Sequence, residues 1–150
     1  MVYKFKDGSQ IKANPQIAGE MCEKLASEGR LTAKDLVEEN RPEDAPLHSS
    51  FLWNNDEAAD KWREHQARHI IGSLIIQTEK KEPVRAFFNI VRQEPQYTHI
   101  ESILQRKDDT ERLLKTALAE LTAFKRKYEV LEELAEVFAA IDHVKEEMSA

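Results

Sequence analysis

The chain has 150 residues, 41% hydrophobic and 33% charged, with only four glycines and five prolines; this composition sets aside disordered and collagen-like chains and suits one helix-rich unit, or a small head with a helical tail. Its formal charge of −6 opposes nucleic-acid binding over the whole surface, because phosphate contacts need locally positive surface. No apolar run approaches the roughly 18 residues of a membrane span and the N-terminus shows no apolar leader core, while the lone Cys22 has no internal disulfide partner, so a cytoplasmic location is expected.

The sequence predicts an α+β chain, mainly helical, with a helix-turn-helix-like head over residues 1–105 and a helical, coiled-coil-like region over 106–150. Tyr3-Lys4-Phe5-Lys6 alternates apolar and charged, Asp7-Gly8 is a two-residue turn signal, and Ser9 to Lys12 is expected to return as the second strand of a hairpin. Asn14-Pro15 starts a helix whose Ile17, Ala18, Met21, Cys22 and Leu25 share one face until Gly29. Thr32 with Asp35 three residues later opens a second, short helix that ends before Pro42. Two helices joined by a tight turn resemble the opening of a helix-turn-helix.

Arg41 to Pro46 reads as a polar loop, followed by an aromatic knot of Leu47, Phe51, Leu52 and Trp53. Asn55 or Asp56 is expected to cap a third helix with Ala58, Ala59, Trp62, Ala67, Ile70 and Ile71 on its apolar face, ending at Gly72. Ser73 to Gln77 and Val84 to Arg92 read as two antiparallel strands with a charged tip, like a wing. Tyr97 to Leu104 reads as a strand-to-helix transition. Asp108 or Asp109 is expected to cap the tail.

The tail, Asp108 to Met148, contains no proline or glycine and reads as one long helix or a tightly joined pair. Leu114, Ala117, Leu121, Phe124, Tyr128, Leu131, Ala135 and Phe138 alternate in steps of three and four, the spacing of a coiled-coil seam. Leu113, Leu118, Leu134, Val137 and Ile141 widen that stripe beyond what a two-stranded zipper needs. Homo-oligomerisation is expected, with Leu114, Leu121, Phe124, Tyr128, Leu131 and Phe138 at the interface; folding of the tail onto the head is the competing account.

Several stretches together resemble a family of small, mostly uncharacterised proteins encoded by bacteriophages and prophages. They are Leu31-Thr32-Ala33-Lys34-Asp35-Leu36-Val37, Pro46-Leu47-His48 with Phe51 and Trp53, Ala67-Arg68 leading into a strand, and Ala123 to Tyr128 before Leu134 to Phe138. The resemblance implies a bacterial cytoplasm and a genome-handling or regulatory role; it carries over no catalytic residues.

Charge is unevenly distributed: residues 61–95 hold seven basic against four acidic side chains. If double-stranded DNA is bound, Lys61, Arg63, Arg68, Lys80, Lys81 and Arg85 are the expected contacts, since the second helix offers Asp35, Glu38 and Glu39 rather than base-reading groups. Solvated charge on a helix face explains the same residues without a ligand. His65 and His69, four apart on one helix, can reach one metal, but no Cys pair or H-E-x-x-H accompanies them. Acidic clusters at Asp56-Glu57-Asp60, Glu38-Glu39 and Glu132-Glu133-Glu136 have simpler roles at helix starts and on solvated faces. Trp53 and Trp62 read as core packing beside apolar neighbours. With no phosphate-cradling loop or nucleophile motif, the expectation is no enzyme, no metal and no cofactor. The function read from the sequence is a homo-oligomeric, phage-type DNA-binding or DNA-organising protein; the alternative is a protein-binding adaptor or inhibitor of a host protein.

Overall fold

The computed structural model describes the chain except residues 54–56, 78, 80, 81 and 92–95, and of Glu57, Ala58 and Val91 it describes the backbone alone. The chain is α+β and mainly helical, and its described residues form two small antiparallel sheets. It forms two compact units, Met1–Gln105 and Arg106–Ala150.

In the first unit, β1 (Val2–Phe5) is followed by the expected turn, in which Gly8 takes φ 81°. The hairpin expectation is corrected: Ser9 to Lys12 forms no strand, and β1 pairs instead with a strand near residue 75. Ser9-Gln10-Ile11-Lys12 offers a single large apolar side chain, too little to cover the buried face of β1. The other edge of β1 is closed by a side chain. Tyr3 N–H donates to Gln16 Oε1 at 3.0 Å, and Gln16 Nε2 donates to the Met1 carbonyl at 3.0 Å, satisfying backbone groups that an open edge would expose.

Helix α1 (Pro15–Ser27) starts where Asn14 Oδ1 accepts from the backbone N–H of Gln16 and Ile17, with proline in the first turn. It buries Ala18, Gly19, Cys22 and Leu25, and Gly29 at φ 70° turns the chain away. Helix α2 (Ala33–Glu39) is capped by Thr32, whose hydroxyl accepts from Asp35 N–H at 2.9 Å, and it buries Ala33, Leu36 and Val37. The loop beyond is folded around Asn40, which is fully buried. Its Nδ2 donates to the Leu36 carbonyl at 2.8 Å, its Oδ1 accepts from Leu47 N–H at 3.0 Å, and its carbonyl meets His48 Nδ1 at 2.9 Å.

Helix α3 (Glu57–Ser73) runs one residue past Gly72 and leads directly into β2 (Leu74–Gln77), the true partner of β1. Leu74 and Ile76 are buried and give that pairing its apolar face. The wing expectation holds in part. β3 (Val84–Arg85) pairs antiparallel with β2, but the chain then leaves at buried Ala86, and β4 (Phe87–Val91) pairs with β5 (Gln96–His99) in a second sheet. Residues 84–92 are therefore not one strand, because Phe87 is drawn into the core against Tyr3 and His99. The expected cap at Asn55 or Asp56 and the tip at Lys80-Lys81 lie outside the described residues. β5 is tied to the α1–α2 turn by Tyr97 N–H donating to the Leu31 carbonyl at 2.7 Å. Helix α4 (Ile100–Gln105) closes the unit.

Tyr3 is the centre of this core. A Cβ on Gly19 would fall 2.1 Å from its Cγ, so the ring lies directly on the α1 backbone. It stacks on Phe87 at 6.2 Å between centroids, and its hydroxyl donates to Glu23 at 2.7 Å while meeting His99 Nε2 at 3.2 Å. His99 Nδ1 accepts from Glu101 N–H at 3.2 Å, which assigns the proton of the neutral ring to Nε2, donating to Tyr3. Burial, then the hydrogen bond and charge of Glu23, push the Tyr3 phenol well above its usual range.

In the second unit, α5 (Lys107–Tyr128) and α6 (Ala135–Ser149) are separated by a 3-10 turn at Glu132–Leu134. Of the two readings of the tail, one long helix or a tightly joined pair, the structure has the pair, folded as a helical hairpin. The break carries neither proline nor glycine; it is set by the pairing it allows, with Phe138 6.3 Å from Phe124 and Asp142 2.8 Å from Lys125. Asp108 and Asp109 occupy the first turn of α5, where the macrodipole favours them, and the cap position is Arg106 rather than either aspartate.

Two stability outcomes follow from the Tyr3 seat. Gly19→Ala should destabilise by about 2–3 kcal/mol through overpacking, although the same change in an open helix would stabilise by about 1 kcal/mol; urea unfolding gives the sign, and a gain would show that the ring has room. Tyr3→Phe should cost about 2 kcal/mol, chiefly by stripping the partner from buried His99. Burial pushes the Cys22 thiol up to about 12, so it should resist maleimide in the folded protein at pH 8 and react after unfolding in urea.

Candidate recognition and assembly surfaces

The structure separates the six basic residues that the sequence nominates. Lys61 and Arg68 are exposed on α3, seven residues apart and so on one strip of the helix, with Arg68 3.4 Å from Glu64. Arg63 is only 2% exposed, which corrects its assignment as a DNA contact. Its guanidinium pairs with Asp60, donates to the Leu52 carbonyl at 2.8 Å and lies 5.2 Å over the Trp53 ring. It therefore anchors the preceding loop. Arg85 is exposed, but its Nε donates to the Phe87 carbonyl at 2.9 Å and its guanidinium lies over Phe88. Lys80 and Lys81 lie outside the described residues.

The two tryptophans divide as well. Trp53 is half-buried, stacked on His48 at 4.7 Å, and donates from Nε1 to the His48 carbonyl at 2.7 Å. Trp62 is 50% exposed, correcting the core expectation, and stacks on His65 at 5.1 Å. The buried strip of α3 is Ala59, Arg63, Ala67, Ile70 and Ile71, and Trp62 sits roughly a third of a turn away from it. His65 and His69 follow Trp62 on that outer strip, and His69 Nε2 meets the Ser9 carbonyl at 2.7 Å. Among the described residues no three His, Cys, Asp or Glu side chains gather as a metal site.

Beside this strip lies an open cleft of about 250 Å³ between residues 10–12, residues 49–52 and the side chains of Gln66, His69 and Ile70. Gln66 Oε1 accepts from Leu52 N–H at 3.3 Å, and the buried Ser50 hydroxyl has no hydrogen-bond partner. The α1–α2 pair presents a different surface. On α2, Glu38 is held by Arg41 at 2.7 Å and Glu39 by Arg30 at 2.8 Å, and the Arg41 hydrogen bond lowers the Glu38 carboxyl below its usual range.

On the tail, the nominated residues divide between exposure and cover. No residue of α5 is buried, and Leu114, Leu121, Phe124 and Leu131 are each about two-fifths exposed, whereas Phe138 is buried and Tyr128 half-buried. α6 adds exposed Val137, Val144 and Met148. The helices also differ in charge: residues 107–128 carry six basic and four acidic side chains, residues 129–150 one basic and seven acidic. Among the described residues no helix is long and apolar enough to cross a membrane.

Arg63→Met should cost about 2 kcal/mol in urea unfolding, from the charged hydrogen bond to Leu52 and the Trp53 contact, with little added for the ion pair because Asp60 stays solvated. Lys61→Ala should change stability by less than about 0.5 kcal/mol; equal effects would contradict the different placement of the two side chains. No protein-family model, curated protein or solved structure matches the chain.

Proposed function

We propose that this protein is a homo-oligomeric, phage-type DNA-binding or DNA-organising factor, assembled through its tail hairpin and presenting several heads to nucleic acid. The observation that carries the assembly is α5: 22 residues, none of them buried, with a row of large apolar side chains left open. A lone helix hairpin cannot bury such a stripe, and a second hairpin can, as a four-helix bundle. Charge favours a second copy as the partner. Setting the basic α5 of one chain beside the acidic α6 of the other pairs opposite charges twice in a two-fold dimer.

Nucleic acid as the cargo is supported by Lys61 and Arg68 on the same exposed face of α3 as Trp62, and by the resemblance to phage-encoded proteins. The acidic face of α2, with Glu38 and Glu39, favours the second reading, a protein-binding adaptor.

Sedimentation at micromolar concentration should report a dimer or larger species. Leu114→Asp with Leu121→Asp should yield a monomer whose head still unfolds cooperatively; these positions spare the Phe124–Phe138 contact within the hairpin. A wild-type monomer would reject the assembly. A wild-type protein that binds neither duplex nor single strand at about 50 mM salt, where phosphate contacts are strong, would leave the adaptor reading in place.

A further inference from the structure

We propose that the nucleic acid taken by the head is single-stranded, and that it lies along the outer face of α3 with a base stacked on Trp62. This rests on the reading of the protein as nucleic-acid-binding and names its substrate class.

The layout of α3 separates three chemistries around the helix in the order a single strand needs. Helical spacing puts Lys61 and Arg68 on one flank, His65, His69 and Trp62 along the middle, and Gln66 on the far flank. The cations suit the phosphate chain. The exposed indole, already stacked on His65 at 5.1 Å, offers a π-face to a base, and base stacking on aromatic side chains is the sequence-tolerant contact of single-strand binders. Beyond it, Gln66 and Ser50 line the cleft of about 250 Å³, room enough for one base and its sugar. Lys12 adds a further cation at the cleft. A duplex cannot use this arrangement, because its bases are already paired and stacked, leaving Trp62 nothing to stack on. Nor does α2 supply a reading helix: its exposed side chains include Lys34, Glu38 and Glu39, and both glutamates already hold arginines.

Fluorescence anisotropy of a labelled 15-nucleotide oligothymidylate at about 50 mM salt, beside a duplex of the same length, tests the assignment. The full chain should bind the single strand at least about tenfold more tightly than the duplex, and Trp62→Ala should weaken that binding by about tenfold or more. Because Trp62 is half exposed, the variant should keep its circular dichroism; His65→Ala, which removes the stacked neighbour, gives a second and smaller loss should Trp62→Ala fail to fold. Lys61→Ala should lower the log–log salt slope by about 0.7. Leu114→Asp with Leu121→Asp should weaken the apparent affinity for long strands while leaving the 15-nucleotide affinity within about twofold, since one head serves a short strand. Duplex binding equal to or tighter than single-strand binding, or a folded Trp62→Ala variant that binds as the wild type does, overturns this inference while the DNA reading stands. Binding to neither overturns both, and the exposed Trp62 is then a protein-contact anchor.

Discussion

The missing Cβ at Gly19 lets the Tyr3 ring lie against the backbone of α1, and the head is built outward from that contact. With the ring seated there, β1 runs close enough to α1 for Gln16 to satisfy its free edge. Phe87 stacks on the ring and draws the chain out of the first sheet into the second. Burying each such ring contributes roughly 2–3 kcal/mol, but the geometry is fixed by the polar end. The Tyr3 hydroxyl must serve Glu23 and His99 together, and His99 must keep Nδ1 free to accept from Glu101. A core with satisfied polar members of this kind tolerates few alternative packings.

Local signals in the sequence translate well into the structure, because the interaction that forms the element lies within a few residues. Asn14-Pro15 and Thr32 with Asp35 are short-range hydrogen-bond patterns, and both helices start where those patterns put them. Strand pairing is different. The alternation in Tyr3 to Lys6 says that one face is buried but not which strand lies alongside, and the partner is about seventy residues away at Leu74 to Gln77. The Asp7-Gly8 turn is real but is followed by a segment too polar to serve. Similarly, nothing local marks the break between α5 and α6, since it arises from contacts such as Phe124 with Phe138 that form only after the chain has folded back.

The proposed recognition face is legible in the sequence in part. Lys61 and Arg68 could be named as solvent-facing cations, but Arg63 has the same chemistry and the opposite fate. Its burial depends on Asp60, the Leu52 carbonyl and Trp53 converging on one point, and the last two come from a loop whose shape is set by Asn40. Trp62 reads as inward from the apolar positions beside it in the sequence. A helical wheel anchored on Ala59, Ala67, Ile70 and Ile71 puts it outside the buried strip, and that angular signal was present in the sequence.

The distribution of charge reconciles an acidic chain with a nucleic-acid reading. The net −6 is concentrated where no nucleic acid need approach: seven acids lie beyond residue 128 against one lysine, and others on α2 hold arginines. What remains on the outer face of α3 is a small excess of cation beside an aromatic platform, too weak alone for tight binding at physiological salt. The proposed joining of copies through the tail would change that balance without any new contact, because the second head would meet the same strand at an effective concentration set by the linkage. Under the proposed function, an acidic background would also lower retention on random sites, so that tight binding at physiological salt would need several heads on one long strand. On this view the apolar row of α5 and the strip of α3 depend on each other: the first multiplies an affinity that the second, by itself, supplies only weakly.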